Sequence, residues 1–256
     1  MEPMDVLGAT THLDDPLAPY VAVDRSDPRG PCWVLANMVG GLDGSAAIGG
    51  RVAALSTEPD AALFLAMRTV ADVVLVGAET IRREGYGPLL LPKARAQTRR
   101  DQGKPPFPRL AVVSRSLDLD WEGRAFTDPA LEQPPFLVTC EAADPERLAR
   151  ARDAAEVIVA GDERVDPGLA LHELAARGAS VVLTEGGPTL LGELVAGGHL
   201  DELLLTLSPL MGGDPLPVAV APPGAPLTGF TLRHVQQEGN TLFLRYERGE
   251  VPPHEQ

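Results

Sequence analysis

The sequence predicts an α/β fold: a single domain with a mostly parallel central sheet, flanking helices and a C-terminal antiparallel hairpin. Short continuous apolar runs recur at 73–76 (VVLV), 110–113 (LAVV), 136–139 (FLVT), 157–160 (VIVA) and 181–183 (VVL), as expected of strands covered on both faces. Stretches with helical spacing alternate with them, the order that builds parallel strands through crossover helices. The end of the chain breaks this pattern. Residues 230–235 and 241–246 alternate across Glu238-Gly239-Asn240, which reads as a hairpin.

A chain of 256 residues is long enough to bury a full α/β core. Its net charge of −14 argues against a broad nucleic-acid footprint, which needs clustered Lys and Arg, so any anionic ligand must be held by local devices. Cys32 and Cys140 stand far apart, with no CxxC and no His at metal spacing. Neither a disulfide framework nor a metal site is indicated, and a reducing cytoplasm suits the chain. The N-terminus lacks a basic segment followed by an apolar one, and no run reaches the roughly 18 apolar residues of a membrane span.

Taken in order, residues 1–31 are rich in Asp and Pro and read as an arm lying on the surface. The first strand signal, 33–36 (WVLA), runs into 37–44 (NMVGGLDG), whose glycines around Asn37 and Asp43 make poor strand but good cleft lining; a turn is the other reading. Ser56 or Thr57 caps a helix with acids in its first turn, an apolar face at Leu63, Phe64 and Met67, and Arg68 near its end, either solvated or free to bind an anion. The strand at 73–76 ends in Gly77-Ala78-Glu79-Thr80 and a polar helix start. Residues 85–108, rich in Gly and Pro, read as an exposed loop. The strand at 110–113 delivers Ser114-Arg115-Ser116, a hydroxyl and a guanidinium that suit a phosphomonoester, though turn chemistry also explains them. Asp166-Pro167 opens a helix that Gly178 ends.

The most informative stretch is 181–191 (VVLTEGGPTLL): a buried strand, Glu185, two glycines, then Pro188 at a helix start. Gly186 and Gly187 allow close backbone approach, and uncapped N–H groups at the helix start suit a phosphate. Glu185 would share that cleft. Plain turn geometry is the competing explanation.

In this order and spacing, GLDG at 41–44, ADVVLVGAETIRREGYGP at 71–88 and LTEGGPTLLGELV followed by LDELLLTLSP resemble the pyrimidine reductase family of riboflavin biosynthesis, with a dihydrofolate-reductase-like fold. The resemblance implies an N-terminal arm (1–31), an NADPH-dependent reductase domain (32–248), a short tail (249–256) and a homodimer. It places Val39, Thr80 and Glu84 beside the nicotinamide half or the pyrophosphate, with Gly77 and Ala78 giving backbone access. Gly186, Gly187, Pro188, Thr189 and Leu190 would hold the pyrophosphate, and Ser114 and Arg115 the adenosine 2′-phosphate. Asn37 and Arg68 would face the substrate. The implied reaction is hydride transfer to the C1′ imine of a ribosylamino-pyrimidine phosphate, with a carboxyl group of raised pKa supplying the proton; Glu185 is the first choice for it and Asp43 the second.

Two departures weaken the phosphoribosyl assignment. An arginine usual for the substrate's phosphate is missing from 84–91 (EGYGPLLL), and Ser45 stands where a Lys or Arg often follows Asp-Gly. Dihydrofolate or a related pterin on the same fold is therefore an alternative substrate, and a non-catalytic nucleotide-binding protein an alternative from another class. Neither HxE nor PCxxC is present, so a free-standing reductase is expected rather than a fusion to a zinc deaminase.

Overall fold

A computed structural model describes residues 11 to 251. Among them nine strands form one sheet. In chain order these are β1 (Trp33–Gly40), β2 (Val73–Gly77), β3 (Arg109–Val113), β4 (Phe136–Thr139), β5 (Glu156–Val159), β6 (Val181–Thr184), β7 (Glu202–Leu207), β8 (Gly229–Glu238) and β9 (Thr241–Gly249). Their spatial order is β5-β4-β3-β2-β6-β1-β7-β9-β8. Every pairing from β5 to β7 is parallel, and the two pairings of β9 are antiparallel. The expected architecture is thus the one the chain adopts. Because the seven strands from β5 to β7 in that order point one way, their carboxyl ends share one edge, where ligands of open α/β sheets gather.

Alternate residues of the apolar runs serve the two faces. Val74, Val76, Leu110 and Val112 pack under Leu63, Ala66 and Met67 of α2 (Glu58–Val70), in a core that also takes Ala151 of α6 (Pro145–Ala154). Val73, Leu75, Ala111 and Val138 pack on the other side against α7 (Pro167–Ala176) and α8 (Pro188–Ala196), through Leu171, Leu174, Leu191 and Leu194. Caps hold the helix starts. Thr57 accepts from the Asp60 amide, Asp144 from that of Arg147 and Asp166 from that of Leu169.

Three expectations change. The first part of the arm, residues 1–10, lies outside the described residues; the rest is mostly exposed, as expected of a surface arm, but two buried side chains anchor it. Its short helix α1 (Ala18–Val21) inserts Tyr20, fully buried, into the first core. Arg25 then reaches Glu202, donating through Nε and Nη2 at 2.8 and 2.9 Å. Arg245 Nε and Trp33 Nε1 donate to the same carboxylate at 2.8 and 3.0 Å. Net negative charge elsewhere in the chain hides this buried cluster in any composition.

Residues 85–108 are not one exposed loop either. They contain α4 (Lys93–Asp101), whose sequence KARAQTRRD has almost no apolar face to betray it. It is held by Arg99, fully buried, which donates to the carbonyls of Thr69 (2.9 Å) and Ala71 at the C-terminus of α2 and to that of Pro105 (2.8 Å). Finally, β1 continues through Asn37 to Gly40, because pairing with β7 up to Gly40↔Leu207 outweighs the low strand propensity of Asn and Gly.

Removing the acid from the buried cluster strands two guanidinium groups. Glu202→Ala should cost about 3 kcal/mol in urea unfolding. A loss below about 0.5 kcal/mol, the scale of an exposed substitution, would show that the cluster does not hold the 11–31 segment down.

Candidate functional site

The carboxyl ends of β1, β2 and β6 open into a cleft of about 600 Å³, the size expected of a small-molecule or cofactor site. Registration builds it. Leu75 and Ala36 both face Thr184 across β6, so Gly77, Met38 and the turn after β6 must meet. Gly77 N–H donates to Gly186 O at 3.2 Å. Gly186 and Gly187 have φ of 114° and 82°, a region that side chains other than glycine's rarely enter. A Cβ on Gly187 would project to within 3.6 Å of Gly77 Cα and 3.7 Å of Thr80 Oγ1, filling the gap between two backbones.

Two helices begin at this gap: α8 after Gly187, and α3 (Ala78–Glu84) after Gly77. Neither has a side-chain cap, so their first N–H groups are free to meet an anion. Gly85, at φ 64°, ends α3 in the left-handed conformation.

The cleft gathers most of the residues singled out from sequence. Asn37, Val39, Gly77, Thr80, Glu84, Glu185, Gly186, Gly187, Pro188, Thr189 and Leu190 all line it. Asn37 is buried, and its Oδ1 has no hydrogen-bond partner among the described residues. Ala78, Ser114 and Arg115 instead border an adjoining open groove of about 550 Å³ that shares Val113 with the cleft. Ser114 Oγ accepts from Leu117 N–H at 3.0 Å, which leaves its own proton to donate.

Glu185 does not stand as a free acid. Arg68 grips it bidentately, Nε to Oε1 at 2.6 Å and Nη2 to Oε2 at 2.7 Å, and Tyr86 OH donates to Oε2 at 2.8 Å. The guanidinium also lies 4.3 Å from the Phe64 ring centroid. Burial, reinforced by the negative charge of Glu185, pushes the Tyr86 phenol well above its usual range, so it remains a donor. With both oxygens accepting, Glu185 anchors Arg68 and the turn. Arg68 in turn sits behind Phe64 and Glu185, outside the cleft lining.

Asp43 is also turned away. It accepts from Ser45 Oγ (2.6 Å) and N (3.1 Å) and from the amides of Gly212 (2.7 Å) and Gly213 (3.3 Å). The Ser45 hydroxyl and those amides hold its carboxyl well below the ordinary carboxylate range. It ties the turn after β1 to the loop after β7 and lines a separate surface pocket. The geometry thus supports neither carboxylate as a proton donor.

Sequence reading missed Asp60. It had counted only as an acid in a helix's first turn, yet its carboxylate is buried at the cleft wall. Ser56 Oγ donates to Oδ2 at 2.5 Å and Thr206 Oγ1 to Oδ1 at 2.6 Å. Thr206 lies on β7, 146 residues away, so no local signal could have revealed the pair. The lining also holds the carboxylates of Glu79, Glu84, Glu185 and Glu193, against one cation, Arg83, which is itself paired with Glu79 at 2.8 Å. Among the described residues no group of three or more His, Cys, Asp and Glu is placed to hold a metal, and no helix is long and apolar enough to cross a membrane.

Parallel strands converging on a glycine-walled, cofactor-sized cleft define an α/β protein with a ligand site at the carboxyl edge of its sheet. Residues 32–244 match the RibD C-terminal domain, and the chain belongs to that family. It is 31% identical over 182 residues to the 2,5-diamino-6-ribosylamino-4(3H)-pyrimidinone 5′-phosphate reductase of Methanothermobacter thermautotrophicus, covering 71% of this chain and 79% of that one. It is 33% identical over 160 residues to the enzyme of the same name from Aquifex aeolicus, covering 62% and 66%. Among solved structures, a pyrimidine reductase-like protein from Corynebacterium diphtheriae superposes with a TM-score of 0.79 at 29% identity, over 86% of this chain and 93% of that one. The named relatives are reductases of a ribosylamino-pyrimidinone phosphate, in keeping with the pyrimidine reductase that the sequence motifs implied.

Truncating the anchor separates its two roles. Arg68→Ala should leave Glu185 buried with a single phenol and cost about 3 kcal/mol of stability. Unchanged stability with lost substrate binding would instead make Arg68 a substrate ligand.

Proposed function

We propose that the chain is an NADPH-dependent reductase acting on an amino-substituted pyrimidine or a ring system containing one. The observation that carries this is the glycine-walled gap between two uncapped helix starts, opening into a cleft that ends at Asn37 and Asp60. The gap suits a pyrophosphate, because a Cβ at 187 would take its place and because N–H groups and helix dipoles favour an anion there. Val39, Thr80, Glu84, Thr189 and Leu190 would border the nicotinamide half, and Ala78, Ser114 and Arg115 the adenosine end. When bound, the cofactor supplies the hydride.

The residues of the chain orient the acceptor. Each Asp60 oxygen accepts one hydroxyl proton and keeps acceptor capacity, and Asn37, whose Oδ1 is unpaired among the described residues, lines the same cleft. Together they form a buried acceptor surface for N–H groups, and a carboxylate can take two adjacent ring donors bidentately. The first reading follows the family: a ribosylamino-pyrimidine phosphate of the riboflavin pathway, 5-amino-6-(5-phosphoribosylamino)uracil or its diamino counterpart, is reduced at C1′.

The second reading is dihydrofolate or a related pterin. It is favoured by a lining in which Asp60, Glu84 and Glu193 have no ion-pair partner among the described residues while the one cation, Arg83, is held by Glu79, so a phosphate dianion would find little to receive it. NADPH oxidation measured with the ribosylamino-pyrimidine phosphate and with dihydrofolate decides between them by the ratio of kcat/KM. Tight NADPH binding with no turnover of either would point to a non-catalytic nucleotide-binding protein.

Asp60→Asn should lower kcat/KM by about 100-fold for whichever substrate turns over, the scale of a buried charged hydrogen-bond pair, while NADPH affinity stays within about twofold. A change under about threefold would remove Asp60 from recognition. Gly187→Val should weaken NADPH binding by at least about tenfold, because it adds a side chain to the gap and forces valine to positive φ. Undiminished affinity in a variant with a normal melting curve would sink the pyrophosphate assignment.

A further inference from the structure

The groove beside the cleft has two walls, and the second is made by α6. Since Val113 and Val138 are partners across β3 and β4, the turn at 114–117 and the β4–α6 connection lie side by side. The groove is lined by Ala78, Ser114, Arg115 and Ser116 on one side and by Ala142, Asp144 and Arg147 on the other. In a chain where most lining charge is negative, Arg115 and Arg147 have no carboxylate partner among the described residues. Arg147 is also held in place: Nη1 donates to Ser116 O at 2.9 Å, across the groove, and its backbone N–H donates to Asp144 Oδ1 at 2.9 Å. A guanidinium has five N–H donors, so this tether leaves the others to a ligand.

We infer that Arg147 is a second specificity determinant for the cofactor, closing on a 2′-phosphate from the side opposite Arg115. The inference rests on the NADPH reading of the adjoining cleft. One exposed arginine is a weak trap for a phosphate, because salt and water screen it. Two, one of them pre-oriented by a carbonyl, give a dianion several charge-assisted bonds at little ordering cost. Asp144 lines the same groove and opposes this. Without the arginines its carboxylate would favour a ribose 2′-hydroxyl, the arrangement of an NADH site. The balance between Asp144 and the two arginines therefore sets which dinucleotide is preferred.

The test is direct titration of the wild-type chain, Arg115→Ala, Arg147→Ala and Arg147→Lys with NADPH, NADH and 2′,5′-ADP, followed by intrinsic fluorescence. Arg147→Ala should weaken NADPH and 2′,5′-ADP about tenfold and NADH less than about twofold. Arg147→Lys should fall between, because lysine offers a point charge and no fork. Unchanged NADPH preference in Arg147→Ala, with the preference lost in Arg115→Ala, overturns the inference alone. Equal losses for both dinucleotides overturn it too, by making Arg147 a support for the turn. If the wild-type chain binds none of the three ligands, the cofactor reading of the cleft fails and this inference with it.

Discussion

The bidentate contact between Arg68 and Glu185 is the interaction on which the site depends. It joins the last turn of α2 to the residue after β6, and Tyr86 extends it to the segment after α3. Three elements far apart in sequence are thereby fixed against one carboxylate whose side chain is fully buried. Desolvation makes such a pair costly to assemble, so its worth lies in position more than in net stability. What it positions is the turn at Gly186 and Gly187. If that turn shifted, the gap to Gly77 would close or widen, and neither helix start would face it.

Charge is distributed unevenly around that turn. Towards Asn37 and Asp60 the cleft presents buried acceptors, whereas the groove beyond Val113 presents two guanidinium groups. Between them lie two helix starts with unpaired N–H groups. An anionic group placed beside the buried Asp60 is repelled where little water screens it, and one placed at the open groove is attracted by two exposed guanidinium groups.

Much of this was legible from the sequence, for physical reasons that differ between residues. The apolar runs at 73–76 and 181–184 announced strands because burial on both faces demands unbroken apolar side chains. Gly186, Gly187 and Pro188 announced the turn because few other residues tolerate its backbone. Hidden were the features made by pairing at long range. Glu185 looked like a reacting acid because its partners Arg68 and Tyr86 are 117 and 99 residues away. Asp43 looked like a second one until the Gly212 and Gly213 amides came to it. Asp60 looked like ordinary helix-dipole chemistry until Thr206 was placed beside it. The helix α4 escaped notice because Arg99, not an apolar stripe, holds it.

On the proposed reading these charges also fix the direction in which a dinucleotide lies. Its most negative end belongs with Arg115 and Arg147, and its pyrophosphate with the α3 and α8 starts, which leaves the nicotinamide to extend past Thr80 and Val39 towards Asn37. The acceptor must then occupy what remains, the space walled by Phe64, Asn37 and Asp60. A ring that offers N–H donors to both Asp60 and Asn37 while its reducible bond faces the nicotinamide satisfies these two polar groups. A phosphate tail satisfies neither of them and must find its cation elsewhere. On that reading the substrate end of the cleft, walled by Phe64, Asn37 and Asp60, is where specificity is decided.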